Sequence, residues 1–350
     1  MSDPAQRFEI LSTIASGDFA TVVRARDREL GREVAIKQIH AQYLQDPRQL
    51  DKYWKEAQLL ASLEHPHIIT IYDIVRDRGW LVFELMQGSL QQLLAGQPID
   101  LHDLRMALTY AAQALDFIHQ HNIIHGDVKP SNLLVAKNHR VKLGDFGIAR
   151  RLGGDHGSAI KGTTKYMAPE VVYDQFGPVG PWSDLYSLGF SAYELLCGEN
   201  FETLFPGLNM FGRDRQMAWS MWHSAPDRRL PEINRVLQGV PDDLAFIIQK
   251  LIEKDPRKRY RSASQLLEDL RQHATAETGP TAEELEAAER AAKAARQKRL
   301  LTIGAAVLSM GLSVGILFWE DKPPPAPPPA EARPTAGVID EVDLENATFF

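Results

Sequence analysis

Asp127, Lys129 and Asn132 lie within the run His125-Gly126-Asp127-Val128-Lys129-Pro130-Ser131-Asn132, and Asp145-Phe146-Gly147 begins 13 residues after the asparagine. A carboxylate, an ammonium and an amide at this spacing, then a second carboxylate beside a glycine, are the groups needed to handle a metal-bound polyphosphate. Asp127 can orient a hydroxyl nucleophile, and Lys129 can neutralise charge on a transferring phosphoryl group. Asn132 and Asp145 offer hard oxygen ligands for Mg²⁺.

These residues need elements to hold them. Val34-Ala35-Ile36-Lys37 and Trp80-Leu81-Val82-Phe83 are short apolar or β-branched runs that predict strands, with Arg78-Gly79 suited to a hairpin turn. Between them Leu50, Tyr53, Trp54, Ala57, Leu60 and Ala61 recur at helical period, predicting a helix over 49–63. Leu104, Leu108, Ala111, Leu115 and Ile118 predict another over 101–121, and 185–273 reads as mostly helical, ending in a helix over 263–270. Strands first and helices second predict an α+β fold of two lobes with a cleft between them.

Composition is that of an ordinary globular protein, 44% hydrophobic and 24% charged, and a net charge of −7 gives no reason to expect nucleic acid as a partner. Cys197 is the single cysteine, so no intrachain disulfide and no cysteine zinc cluster can form, and it reads as a small core residue. The N-terminus lacks a basic patch followed by an apolar stretch, so no secretory signal is expected. Residues 300–319 are 20 residues without a charge, long enough to cross about 30 Å of hydrocarbon as a helix. Arg290, Lys293, Arg296, Lys298 and Arg299 precede this stretch while Glu320 and Asp321 follow, which places residues before 300 in the cytoplasm. Thr281-Ala282-Glu283-Glu284 has the form of a capping box opening a juxtamembrane helical linker over 274–299. Residues 320–350 form a Pro-rich tail with seven acidic and two basic residues, expected outside the cytoplasm.

From about Phe8 to His273 the chain resembles the eukaryotic-type (Hanks-type) serine/threonine protein kinases, of the bacterial transmembrane kind. Seven motifs lie in family order. Ile14-Ala15-Ser16-Gly17-Asp18-Phe19-Ala20-Thr21-Val22 sits where the glycine-rich loop belongs, and Lys37 and Glu56 match the phosphate-binding lysine and its helix partner. Asp127, Lys129 and Asn132 match the catalytic loop, and Asp145 the metal-binding aspartate. Ala168-Pro169-Glu170 closes the activation segment, Asp184 to Gly189 matches the helix bracing the catalytic loop, and Arg259 matches the partner of Glu170. The resemblance implies a kinase domain over 8–273, with an N-lobe (8–83), a hinge (84–88) and a C-lobe (89–273). It implies a nucleotide site of Ile14, Ala15, Gly17, Val22, Ala35, Lys37, Glu56, gatekeeper Phe83, Glu84 and Met86, with catalytic Asp127 and Lys129 and metal ligands Asn132 and Asp145. ATP and Mg²⁺, with Mn²⁺ as an alternative ion, are the implied cofactors, and Ser or Thr hydroxyls of proteins the acceptors. Gly311 and Gly315 allow close helix packing in the span, and a homodimer fits this family.

The chain departs from the family pattern at two places. Only Gly17 of three expected glycines remains in the loop, with Ala15 and Ala20 in the other places, so weaker nucleotide affinity is expected. Gly126 stands where most members have an arginine that grips a phosphorylated activation-loop residue, so phosphate on Ser158, Thr163 or Thr164 should not be needed. A pseudokinase scaffold has the thinned glycine loop in its favour, but retention of Lys37, Glu56, Asp127, Asn132 and Asp145 argues against it. A small-molecule kinase is opposed by Ala168-Pro169-Glu170 and Arg259. The Phe-, Met- and Trp-rich stretch 201–222 reads as core filling, with an exposed docking patch as the alternative.

Overall fold

The computed structural model describes residues 4–17, 19–45, 47–145, 150–151, 163–205, 207–208 and 214–277. Strands β1 (Phe8–Ser16), β2 (Ala20–Asp27) and β3 (Arg32–Ile39) lead into helix α1 (Pro47–Ala61), then β4 (Ile71–Val75) and β5 (Trp80–Glu84). The five strands form one antiparallel sheet in the order β1-β2-β3-β5-β4. Period-2 alternation divides its side chains. Val34 and Ile36 pack with Phe8, Val23, Ala25, Val75 and Val82 on one face, while Ala35 and Ile39 join the main core on the other. The expected Arg78-Gly79 turn is a 3₁₀ turn over Arg76–Arg78 closed by Gly79 at φ +67°. A side chain there would strain the backbone and meet Leu44 at 2.7 Å.

The helical lobe is built from α2 (Leu101–Gln120), α3 (Pro181–Cys197), α4 (Arg215–Ser224), α5 (Asp242–Leu251) and α6 (Ala263–Glu277). The α2 reading matches to one residue, because Asp100 caps it by accepting from His102 N at 2.8 Å. Helix α1 starts two residues before its expected position, at Pro47, whose fixed φ suits a first helical residue. The last helix runs to Glu277, beyond both the expected helix end at 270 and the expected domain boundary at 273.

Helix α3 is buried on nearly every face, from Ser183 through Tyr193 and Leu195 through Cys197, and is the axis of the lobe. Cys197 is buried here, and burial pushes its thiol up to about 12, which fits the core reading. Phe201, Phe205 and Trp219 pack around Phe190 of α3, so the aromatic-rich stretch mostly fills the core, while Met217 and Met221 remain exposed. No helix among the described residues is long and apolar enough to cross a membrane. The stretch 300–319, the linker before it and the Pro-rich tail lie outside the described residues.

One fully buried ion pair ties the two ends of the helical lobe together. Arg259 donates to both oxygens of Glu170, at 2.6 and 2.9 Å, with neither side chain exposed to solvent. Ser183 Oγ donates to Glu170 at 2.8 Å, and Arg259 also donates to the carbonyls of Glu253, Lys254 and Trp182. Such a pair is stable only while both partners are present. Glu170→Gln or Arg259→Met alone is expected to cost about 3–5 kcal/mol by denaturant unfolding, and the double variant less than the sum of the two.

Candidate active site

Sheet register brings the expected nucleotide-site residues together. Ala15 pairs with Val22, Val22 with Lys37, and Ala35 with Phe83, so four neighbouring strands carry them side by side. Lys37 and Ala35 share one face because they are two apart. A register irregularity between Thr13 and Ala15 lets Ile14 bury itself in the core cluster that holds Ala35, Phe83 and Met86. Gly17 N bonds Ala20 O at 3.0 Å in the connection between β1 and β2. Among the described residues, a side chain at Gly17 would meet that carbonyl alone, at 3.8 Å.

Beyond β5 the chain crosses to the helical lobe. Glu84 carries a side-chain clamp, accepting from Thr70 N at 2.8 Å and Lys142 Nζ at 2.5 Å. Gly88–Ser89 then pairs with Leu133–Val135, which pairs with Val141–Leu143. Leu143 N donates to His67 O at 2.8 Å and Ile69 N to Leu143 O at 3.0 Å, tying the strand before Asp145 to the first lobe.

The catalytic-loop residues converge. Lys129 Nζ lies 2.7 Å from Asp127 Oδ2 and 3.0 Å from Thr163 Oγ1. Asn132 Nδ2 donates to Asp127 O at 2.7 Å and Oδ2 at 3.1 Å, which points its amide oxygen away from Asp127. Thr163 N faces Asp127 Oδ1 at 3.5 Å. Below the loop, the buried Asp184 accepts from His125 N at 2.9 Å, Gly126 N at 2.8 Å and His119 Nε2 at 2.8 Å. Burial alone would raise its carboxyl, but the His119 hydrogen bond, attraction from the His119 and His125 rings and the Gly126 N–H together hold it low. Gly126 adopts φ +78°, in the left-handed region that glycine enters without strain.

Asp145, at φ +53°, receives Lys37 Nζ at 2.9 Å, and this pair is partly exposed. The Lys37 ammonium is the main reason the Asp145 carboxyl is held down to about 2. Glu56 lies on α1, and its side chain, with the expected Lys37–Glu56 pair, lies outside the described residues. Asn132 and Asp145 carry oxygens of the kind that suit a hard divalent cation, and Lys37 lies beside Asp145. The sequence reading did not identify His119, 65 residues from its partner Asp184, because no local pattern marks such a bond.

Two outcomes test this geometry. Gly126→Ala is expected to destabilise the protein by about 1–2 kcal/mol through backbone strain alone, read from the denaturant midpoint. In Lys37→Met the Asp145 carboxyl is expected to titrate upward from about 2 toward the usual value of 3.8, followed by ¹³C NMR. The sign of the pH effect follows. The stabilisation from a depressed carboxyl is present above its unfolded value and is lost as pH falls through about 2, and the variant lacks that loss.

The protein kinase domain family model matches residues 8–270. Similar proteins include the serine/threonine-protein kinase PknB of Mycolicibacterium smegmatis, 34% identical over 279 residues, which cover 76% of this chain and 43% of that one. PknB of Mycobacterium tuberculosis is 32% identical over 279 residues, covering 76% of this chain and 42% of its own. A probable serine/threonine-protein kinase of Streptomyces coelicolor is 34% identical over 278 residues, covering 75% and 39%. This chain thus spans about two fifths of the length of these relatives. With the match running through the described lobes and the site between them, the chain belongs to the protein kinase domain family.

Proposed function

We propose that the protein transfers the γ-phosphoryl group of ATP to Ser and Thr hydroxyls of proteins, itself among them, as a membrane-anchored signalling enzyme. The observation that carries this reading is the convergence of Asp127, Lys129 and Asn132 on one side, with Lys37 and Asp145 supplied by two different lobes.

In this reading Asp127 orients the acceptor hydroxyl and accepts its proton, its carboxylate aimed by Lys129 and Asn132. Lys129 meets negative charge on the transferring group, and Lys37 leaves Asp145 to hold the nucleotide phosphates. Asn132 and Asp145 would hold Mg²⁺ or Mn²⁺, which neutralises phosphate charge when bound. Ile14, Ala15, Gly17, Val22 and Ala35 would cover the nucleotide, with Phe83, Glu84 and Met86 at its adenine end. The Lys129-Pro130 pair that follows Asp127 resembles the serine/threonine-specific form, which favours hydroxyls of Ser and Thr as acceptors.

The anchor in this proposal is 300–319, flanked by Lys and Arg on its N-terminal side, with the kinase domain cytoplasmic and 320–350 across the membrane. Gly126 removes the side chain that would grip an activation-segment phosphate. Thr163 is engaged by Lys129, and Thr164 is buried, which leaves Ser158 as the cleaner site for testing that independence.

Labelled ATP with Mg²⁺ or Mn²⁺ tests the reading, using wild type beside Asp127→Asn and following both autophosphorylation and a basic protein substrate. Label on Ser or Thr in the wild type, reduced about 10²–10⁴-fold in the variant, is the expected result. No label from folded, nucleotide-binding protein would leave a scaffold in its place. Ser158→Ala is expected to keep wild-type transfer to the substrate, and near-total loss would remove the claim of phosphate independence.

A further inference from the structure

A cavity of about 360 Å³ opens beside the catalytic loop, lined by Pro130, Lys165, Glu194, Glu199, Phe201 and Glu202 among others. Pro130 directly follows Lys129, and Lys165 is two residues from Thr163, whose hydroxyl lies 3.0 Å from Lys129 Nζ. The cavity therefore adjoins the loop that holds Asp127, on the side where Thr163 meets Lys129.

Three carboxylates in such a place would attract a cationic side chain, but the chain already supplies one. Lys165 Nζ lies 2.6 Å from Glu194 Oε1 and 3.4 Å from Glu202 Oε1, and 5.1 Å from the ring centroid of Phe201. Glu194 Oε2 accepts from Tyr166 OH at 2.7 Å, and Glu202 Oε2 accepts from Arg215 at 2.5 Å. Both oxygens of both carboxylates are therefore engaged within the protein.

The backbone that carries Lys165 is fixed as well. His223 Nε2 donates to Lys165 O at 2.9 Å, so its Nδ1 accepts from Tyr186 OH at 2.8 Å. Burial holds that imidazole neutral, down to about 3. Ser187 Oγ donates to Tyr166 O at 2.7 Å. The pinned backbone fixes where the Lys165 side chain starts, and its ammonium leaves the cavity only by giving up both carboxylates.

We propose that Lys165 is a specificity-determining residue: its ammonium is the built-in occupant of the carboxylate cavity beside the acceptor site, so this protein does not select substrates by a Lys or Arg near the acceptor. A second cation entering the cavity meets Lys165 as a like charge and finds each oxygen of Glu194 and Glu202 already accepting from a donor of the protein, which leaves Glu199 as the remaining carboxylate of the lining. Without Lys165, the same two carboxylates lose their internal cation and become a subsite for Arg or Lys. The proposal rests on the phosphotransfer reading above.

The test is a positional scan with the full chain in detergent micelles. A Ser/Thr peptide carries Arg or Ala in turn at each of four positions on either side of the acceptor, and kcat/KM is measured for each. Comparing two peptides on one protein cancels any general loss of activity. Wild type is expected to differ by less than about threefold between Arg and Ala at every position. Lys165→Gln and Lys165→Met are expected to gain about a tenfold preference for Arg at one position, through KM, which Lys165→Gln/Glu194→Gln loses again. A scan as flat as wild type from either folded lysine variant overturns the proposal. A tenfold wild-type preference for Arg that Glu194→Gln abolishes overturns it too, and this arm reads out even if both lysine variants fail to fold. Absence of transfer to every peptide by nucleotide-binding wild type would instead remove the kinase reading itself.

Discussion

The site depends on one buried carboxylate. Asp184, on the helix at the centre of the helical lobe, accepts two consecutive backbone N–H groups from the catalytic loop and a third bond from His119. Gly126 follows these two amides in the left-handed conformation, which sets the direction of the chain into Asp127. His125 continues the support, its ring bonded to Gly144 O at 3.1 Å and to Asp127 N at 3.2 Å. The position of Asp127 and the approach to Asp145 are therefore set by the same buried anchor. Its strength comes from low local dielectric and from three donors converging on one carboxylate.

Gly126 also separates two consequences of one position. The backbone there needs φ +78°, which any L side chain adopts at a cost and glycine adopts without one. A side chain that reached for a phosphate from this position would carry that strain. With glycine the strain and the grip are both absent, so the local geometry no longer depends on a charged partner elsewhere in the chain.

Much of this was legible in the sequence because it is local or periodic. The run from His125 to Asn132 carries its own spacing, and the α2 pattern from Leu104 to Ile118 marked a helix that Asp100 caps within a residue of its expected start. The pairing of Val22 with Lys37 and Ala35 with Phe83 follows from alternation once the strands are recognised. What was not legible is long-range polar pairing. Lys165 reaches Glu194 across 29 residues and His119 reaches Asp184 across 65, and neither sequence neighbourhood signals its partner. Helix ends were less legible for a related reason: nothing local stops α6 before Glu277, and the first strong breakers in the sequence are Gly279 and Pro280.

The two sides of the site are held by different kinds of polar contact, and the difference has a functional sense. On the acceptor side, the segment from Thr163 to Glu170 is tied to the helical lobe by contacts that are buried or nearly so. They are Arg259 to Glu170, Ser187 to Tyr166 O, His223 to Lys165 O and Lys165 to Glu194. Breaking the buried ones leaves a desolvated group unpaired, so the platform is held before a substrate arrives. On the nucleotide side, Lys37 and Asp145 form a partly exposed pair, and partly exposed pairs contribute little net stability. Their attraction lowers the Asp145 carboxyl further, yet is weak enough in net terms for either group to exchange its partner for a phosphate or a cation. An acceptor platform held in place and facing an exchangeable charge pair suits a reaction in which one substrate is positioned and the other enters and leaves at every turnover.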